Sequence, residues 1–293
     1  MRFEKIGVVG AGVIGRSVAQ ALAQTGHDVV LIDTNRAALD SARKSIADGL
    51  RFAAFSCPAL RKADHGEILS RIRGTTDHGE LAEIGFVIEN TTEDWGVKED
   101  VYRSLDEVCY PECVFVVNTS AICIARVAKV ATRHPHIIGM HFMNPVPLRR
   151  HVEVVVSDVT SQFAVDAAND MLAQLGSRAI VVRDKPGFVS NRVMMLMINE
   201  AIAVLEDDTA SATNVDAIFV NCFAHKMGPL ATADLIGLDT IMRTLEVLRD
   251  SFNDAKFEPR PLLRRMVSDN RLGRKSGVGF FDYGQEGEAI HGP

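Results

Sequence analysis

Short apolar runs alternate with longer amphipathic stretches along the first two thirds of the chain. The short runs are typical of strands buried on both faces, and the longer stretches, with apolar residues three or four positions apart, are typical of helices. In chain order, the runs that predict strands are KIGVV, DVVLID, GFVIEN, VFVVNTS, HIIGMHF, VEVVV and AIVV. This alternation predicts an α/β fold with a doubly wound, mostly parallel sheet.

Residues 35–80 combine a helical pattern with many basic side chains. These are Arg43, Lys44, Arg51, Arg61, Lys62, Arg71 and Arg73. Because charged runs on helices usually face water, we interpret the segment as a solvated helical surface. A contact with the phosphate-bearing tail of a substrate is the alternative that these residues leave open.

The pattern changes at the KPG sequence of residues 185–187, which is typical of a domain boundary. We therefore predict two domains, 1–184 and 185–293. Residues 188–205 are apolar on nearly every face, which predicts a helix buried on all sides, either inside a helical domain or across a subunit interface. The rest of the second domain reads as further helices, so an all-helical domain is expected.

A glycine motif, GAGVIG, lies directly between the first predicted strand and the first predicted helix. Such glycines allow a tight turn and a close approach of the backbone to a pyrophosphate, whose charge then lies at the helix N-terminus. Asp33 ends the second strand, where it would accept hydrogen bonds from a ribose diol and repel a 2′-phosphate. The pattern predicts NAD binding by Gly10, Gly12, Val13, Ile14, Gly15 and Asp33. A purely structural turn is the alternative, and Arg36 leaves a 2′-phosphate contact open.

The stretch GMHFMNPVPLRRHVE, residues 139–153, places one histidine directly after a predicted strand. Histidine suits proton transfer near neutral pH. Pro145 and Pro147 restrict their own φ angles and the residues before them, so the segment after His141 is expected to be rigid. Glu153 interrupts the apolar run VEVVV, where a carboxylate needs a partner. We therefore predict a His141–Glu153 pair, although either residue alone could be structural.

Further polar residues follow the predicted strands. Asn118, Thr119 and Ser120 come at the end of one strand, and His141 at the end of another. Ligands of doubly wound sheets bind outside the carboxyl ends of the strands. We therefore expect these residues to share the crevice that holds the cofactor. An N-cap role for Ser120 is the structural alternative.

Composition narrows the classes of function. The chain has 293 residues, with 47% hydrophobic and 24% charged, which is long for one domain and ordinary for a globular protein of two. A formal net charge of −6 gives no support for nucleic acid or an anionic membrane surface as a partner. The most apolar window, residues 193–198, is far shorter than the ~20 residues of a membrane span.

The N-terminal sequence and the cysteines indicate a location. MRFEKIGVVGAG enters a strand and a glycine loop at once, so no targeting segment is expected. The five cysteines form no Cys-x-x-Cys pair, which argues against a disulfide framework and a zinc site. We therefore expect a cytoplasmic protein without a metal.

With these motifs in hand, the sequence resembles the 3-hydroxyacyl-CoA dehydrogenase family, and especially its short bacterial members. The resemblance extends over essentially the whole chain, with several blocks in the family's order. Besides GAGVIG and Asp33 they are NTS at 118–120, HFMNPVP at 141–147, PGFVSNR at 186–192, MGPL at 227–230, DLIGLDT at 234–240 and GRKSGVGFFDY near the C-terminus.

The resemblance implies an N-terminal Rossmann domain that binds NAD, a C-terminal helical domain, a homodimer, and a short-chain acyl-CoA substrate of the 3-hydroxybutyryl type. By resemblance, His141 is the general acid/base and Glu153 its orienting carboxylate. Ser120 and Asn191 would hydrogen-bond around the substrate oxygen and thioester. Residues standing where the family contacts cofactor or substrate are Glu93, Lys98, Asn118 and Lys275.

The chain also departs from the family pattern around its substrate. The segment LRRHVE, residues 148–153, replaces a usual apolar, lysine, apolar pattern, and Met143 replaces an aromatic residue. The continuation at 121–123 lacks the usual serines, and residues 221–222 replace a common glycine. Two alternatives therefore stay open. One is the same chemistry on a hydroxyacyl group carried by an acyl carrier protein, and the other is a non-catalytic, crystallin-like relative.

Overall fold

The computed structural model describes residues 3–56, 63–120 and 122–284. The chain divides into two compact units, Met1–Lys185 and Pro186–Pro293. Arg61 and Lys62 of the basic segment, and also Cys57 and Ala121, lie outside the described residues.

The first unit is built on one eight-stranded sheet. The strands are β1 (Lys5–Val9), β2 (Asp28–Ile32), β3 (Ile72–Thr75), β4 (Phe86–Glu89), β5 (Val114–Val117), β6 (Ile137–His141), β7 (His151–Val156) and β8 (Arg178–Arg183). Their order is β3-β2-β1-β4-β5-β6-β7-β8, and every neighbouring pair is parallel except β6 and β7. The order of the first six strands is that of the Rossmann fold, so the predicted fold class is confirmed.

Helices connect these strands and cover the sheet. They are α1 (Val13–Gln24), α2 (Arg36–Ser56), α3 (His65–Ser70), α4 (Trp95–Val108), α5 (Ile124–Ala128) and α6 (Gln162–Gln174). Short 3-10 helices lie at His78–Leu81, His134–His136 and Val146–Leu148. Strands β4 and β5 are buried along their whole length, which explains their unbroken apolar sequences.

One detail of the sheet differs from the sequence-based expectation. Residues 35–80 were expected to be helical throughout, but Ile72–Thr75 forms the edge strand β3. This strand is only four residues long and contains an arginine and a glycine, so its sequence gives little strand signal. The antiparallel β7 follows a connection from residue 142 to 150, which is too short for the helical crossover that a parallel strand requires.

The second unit is helical, as expected. Its helices are α7 (Ser190–Glu206), α8 (Ala212–Asn221), α9 (Pro229–Ile236), α10 (Leu238–Phe252) and α11 (Pro261–Ser268), with 3-10 helices at Ala255–Phe257 and Arg274–Ser276. Helix α7 was expected to be buried on all sides. Within the chain that expectation is wrong, because Val193 is 62% exposed while Met195, Ile198 and Ile202 face the core. The alternative, a helix that meets another subunit, stays a prediction.

The buried carboxylate of Asp234 holds residues 280–283 of the second unit in place. Asp234 in α9 accepts hydrogen bonds from the backbone amides of Phe280 and Phe281, each at 3.0 Å, and from the Tyr283 hydroxyl at 3.0 Å. Burial raises the pKa of Asp234 above its ordinary value, against the effect of these donors. The DLIGLDT and GFFDY motifs are therefore linked through one side chain.

Among residues 3–56, 63–120 and 122–284, no helix has both the length and the apolar character that crossing a bilayer requires. Within the same ranges, no cluster of three or more His, Cys, Asp or Glu side chains could hold a metal ion.

Candidate active site

A cavity of about 560 Å³ opens at the carboxyl edge of the sheet in the first unit. It lies where the strand order reverses, beside the ends of β1 and β4, which is where doubly wound sheets bind ligands. The predicted site residues that line it are Gly10, Gly12, Val13, Ile14, Asp33, Glu93, Asn118, Ser120 and His141. The structure thus brings most of the predicted residues of the first unit into one cavity.

The glycine loop has the backbone that a pyrophosphate requires. Gly10 has a φ of 95°, a conformation that favours glycine. A Cβ atom on Gly15 would lie 1.8 Å from the Gly10 carbonyl oxygen, so this glycine lets the helix pack against the turn. A Cβ on Gly12 would meet nothing within 4 Å, so the space beside the N-terminus of α1 is open. The amide groups there can bind an anion.

Asp33 lies after β2 at one end of the cavity, where its side chain is bonded to the glycine loop. Its Oδ2 accepts a hydrogen bond from the Ala11 amide at 2.9 Å, and its Oδ1 accepts one from the Asn35 amide at 2.9 Å. These bonds hold the carboxylate at the cavity wall while each oxygen keeps a further lone pair for a ribose hydroxyl. The loop, the helix terminus and Asp33 together fit a dinucleotide that lacks a 2′-phosphate.

Replacing Asp33 with Ala is expected to weaken NAD binding by about 10–100-fold, because hydrogen bonds to a charged group contribute roughly 1.5–3 kcal/mol. NADP binding is expected to improve, since the repulsion of the 2′-phosphate is lost. Calorimetric titration of both cofactors measures the change. Asp33→Asn is the second variant, because its one carbonyl oxygen can still accept from the Ala11 amide while the charge and the second acceptor oxygen are lost. An unchanged NAD/NADP preference in both variants would contradict the ribose assignment.

A hydrogen-bonded chain of three side chains lies at the other end of the cavity. His141 Nδ1 is 3.2 Å from Glu153 Oε2, and His141 Nε2 is 3.2 Å from Ser120 Oγ. His141 is 7% exposed, so the ring is largely shielded from water. When Nδ1–H donates to Glu153, Nε2 carries the lone pair and can accept a proton from a hydroxyl group.

The local fold explains how this chain of residues forms. His141 and Glu153 face each other directly in the antiparallel β6–β7 pair, so their side chains project from neighbouring strands. Ser120 follows the end of β5, the other neighbour of β6. Beyond His141, the Val146 amide donates to the Ser17 hydroxyl of α1 at 3.0 Å, which ties the proline segment to the glycine-loop helix.

Glu93 and Asn118 hold the strand ends that carry Ser120 and His141. Glu93 accepts hydrogen bonds from the Thr119 hydroxyl and, at 3.0 Å, from the Ser120 amide. Asn118 accepts from the Phe142 amide at 3.2 Å and donates to the Asn90 side chain at 2.7 Å. Both residues line the cavity and also hold the backbone beside Ser120 and His141.

Lys98 forms a buried ion pair, and its predicted contact with cofactor or substrate stays a prediction. Its side chain is 0% exposed and lies 2.7 Å from Glu89 Oε2, whose side chain is 1% exposed. The ammonium group also donates to the Asn118 carbonyl oxygen at 3.2 Å. Lys98 is not among the residues lining the cavity. Its ammonium group therefore holds the backbone of Asn118, which does line the cavity.

Two predicted residues belong to the second unit. Asn191 lies in the first turn of α7. Lys275, in the last 3-10 helix, is paired with Asp239 of α10. Their contacts with substrate or cofactor stay predictions.

His78 lines the same cavity and was not predicted from the sequence. Its Nδ1 is 2.9 Å from the Ser104 hydroxyl of α4. Burial lowers the pKa of His78, outweighing the opposite effect of Asp77. The only sequence signal for His78 is its position shortly after β3, and the sequence does not predict β3.

Comparison with known proteins gives two family matches that cover nearly all of the chain. Residues 5–185 match the 3-hydroxyacyl-CoA dehydrogenase NAD binding domain. Residues 187–283 match the 3-hydroxyacyl-CoA dehydrogenase C-terminal domain.

Individual relatives agree with these matches. The chain is 37% identical over 279 residues to a 3-hydroxybutyryl-CoA dehydrogenase of Clostridioides difficile, covering 95% of this chain and 99% of the relative. It is 40% identical over 279 residues to a probable 3-hydroxybutyryl-CoA dehydrogenase of Deinococcus radiodurans, covering 95% and 100%. The crystal structure of (S)-3-hydroxybutyryl-CoA dehydrogenase from Ralstonia eutropha superposes with a TM-score of 0.92 at 38% identity, covering 97% and 100%. The chain therefore belongs to the 3-hydroxyacyl-CoA dehydrogenase family, and its first unit is that family's NAD-binding domain.

Proposed function

We propose that the protein transfers a hydride between NAD(H) and the 3-hydroxy/3-keto carbon of a short-chain acyl thioester of the 3-hydroxybutyryl-CoA type. The observation that carries this proposal is the Ser120–His141–Glu153 chain, of which Ser120 and His141 line the cavity beside the glycine loop. The substrate class is supported by relatives that are named 3-hydroxybutyryl-CoA dehydrogenase.

Proton transfer is the work of His141 in this proposal. Oxidation of a secondary alcohol removes its hydroxyl proton while a hydride leaves the same carbon, and bound NAD supplies the hydride acceptor. His141 Nε2 takes the proton, and in the reverse direction the imidazolium returns it to the ketone oxygen. The Glu153 carboxylate, 3.2 Å from Nδ1, stabilises the imidazolium and holds the tautomer with Nε2 free.

Two further residues would hold the substrate. The Ser120 hydroxyl lies 3.2 Å from Nε2, so it can donate to the same substrate oxygen that exchanges a proton with His141. Asn191, at the start of the second unit, would bind the thioester.

A cluster of basic residues favours a second candidate, a substrate carried by an acyl carrier protein. Arg149, Arg150, His151 and Arg178 are exposed at the edge of the sheet that holds Glu153. The guanidinium groups of Arg149 and Arg150 donate to the carbonyl oxygens of Asn144 and Gly176 rather than to carboxylates. Positive charge so close to the reacting groups suits an acidic partner as well as the phosphates of CoA.

One experiment compares the two carriers. NADH oxidation is followed with acetoacetyl-CoA and, separately, with acetoacetyl groups on an acyl carrier protein. The wild-type protein is expected to turn over the CoA thioester. An Arg149→Ala/Arg150→Ala variant that loses activity only with the carrier protein would instead support the second candidate. Inactivity on every thioester would leave the crystallin-like alternative.

We also propose that the protein is a homodimer. Large apolar side chains are exposed on the second unit, notably Val193, Ile218, Phe223 and Leu235. Exposed large apolar side chains of this kind are buried when a protein–protein interface forms. Sedimentation equilibrium is expected to give twice the chain mass of 32.0 kDa, and a value of 32.0 kDa would contradict the proposal. A cytoplasmic location stays a prediction.

A further inference from the structure

The adenosine end of the cavity has a wall that the proposed chemistry does not use. Val97 and Val101 line it one helical turn apart on α4, and Val97 is 41% exposed. His78 lines the same cavity, as do Asp33 and Thr34 at the end of β2. An apolar surface left open inside a cavity, with one polar ring beside it, fits a flat heteroaromatic ligand.

His78 is held rigidly at this wall. It begins the 3-10 helix His78–Leu81, which Asp77 caps by accepting from the Gly79 amide at 2.7 Å. Leu81, at the other end of this short helix, is fully buried. The ring is fixed as well, because Nδ1 is 2.9 Å from the Ser104 hydroxyl.

This arrangement leaves Nε2 as the nitrogen that can serve a ligand. Burial lowers the pKa of His78, so the ring is neutral near pH 7. The Ser104 hydroxyl can accept from Nδ1–H, and in that tautomer Nε2 carries a lone pair that accepts a hydrogen bond from a ligand. Among the parts of NAD, the adenine adjoins the ribose whose diol Asp33 is placed to bind, and its exocyclic amino group is a donor.

We propose that His78 recognises the adenine ring of NAD, its Nε2 accepting a hydrogen bond from the exocyclic amino group while Val97 and Val101 cover the ring. His78 is thus a specificity residue for the cofactor. The proposal depends on NAD binding by the first unit and is independent of the acyl substrate.

Deamino-NAD, in which an oxygen replaces the adenine amino group, tests this contact by calorimetric titration of the full chain. Wild-type protein is expected to bind NAD about 2–10-fold more tightly than deamino-NAD, the range of one neutral hydrogen bond. His78→Phe keeps a ring at the wall without an acceptor, so it is expected to bind both dinucleotides equally. Ser104→Ala removes the hydroxyl that holds Nδ1 of the His78 ring, so it should weaken the preference in part.

Reduced nicotinamide mononucleotide, which has no adenine, is the control ligand. Its affinity is expected to be the same in wild-type protein and in His78→Phe, and a loss there would mean that the substitution acts on the fold, which overturns the proposal. Equal binding of NAD and deamino-NAD by wild-type protein, or an undiminished preference in His78→Phe, would overturn it as well. Because these titrations need no acyl substrate, their failure leaves the proposed dehydrogenase activity untouched.

Discussion

Replacement of His141 by Ala is expected to lower turnover by about 10²–10⁴-fold, the usual contribution of a general acid or base. The substitution removes the group that exchanges a proton with the substrate oxygen, and nothing else in the Ser120–His141–Glu153 chain can take its place at Nε2. NAD affinity is expected to stay nearly unchanged, because the glycine loop and Asp33 are at the other end of the cavity. Steady-state kinetics and a cofactor titration measure the two effects separately.

Two further variants make this result specific. His134→Ala changes a histidine just before the start of β6, at the opposite edge of the sheet from His141, and is expected to keep normal turnover. Glu153→Gln keeps a hydrogen-bond acceptor for Nδ1 but removes the charge, so its loss should be smaller than that of His141→Ala. A His141→Ala enzyme that keeps most of its activity would refute the proposed role.

Replacement of Lys98 by Met is expected to destabilise the protein by about 3–5 kcal/mol, the usual cost of leaving one member of a buried ion pair alone. Glu89 would remain 1% exposed without its cation, and the Asn118 carbonyl oxygen would lose a donor. The midpoint of thermal unfolding is expected to fall by about 6–20 °C, since each kcal/mol corresponds to roughly 2–4 °C in a domain of this size.

The matched control for Lys98 lies on the same helix. Arg103 pairs with Glu99 at 2.6 Å, but its side chain is 59% exposed. Arg103→Ala is therefore expected to cost less than about 1 kcal/mol. Equal, small effects of the two substitutions would mean that Lys98 is not part of a buried pair, and would return it to the cavity-facing role that the family resemblance suggested.

The fold and the paired reacting groups could be predicted because their signals are local. GAGVIG follows a strand and opens a helix, so its structure is set by neighbouring residues. His141 and Glu153 were linked because a carboxylate inside VEVVV requires a partner, and the β6–β7 pairing places them opposite each other.

Features that depend on distant contacts could not be predicted in the same way. The partner that buries Lys98 is Glu89, at the end of an apolar strand, and only the packing of α4 on the sheet brings the two together. His78 follows an edge strand whose sequence resembles a loop. The contacts of Asn191 and Lys275 depend on the second unit, and no sequence pattern specifies them.

The most direct test of the account uses NADH carrying deuterium at both C4 positions of the nicotinamide, mixed with acetoacetyl-CoA and the wild-type protein. Mass spectrometry is expected to find one deuterium at C3 of the 3-hydroxybutyryl-CoA formed. The His141→Ala protein, tested in parallel, should bind the same NADH and form almost no product. A reduced product without deuterium, or no product at all from a wild-type protein that binds NADH, would contradict hydride transfer to a 3-keto thioester.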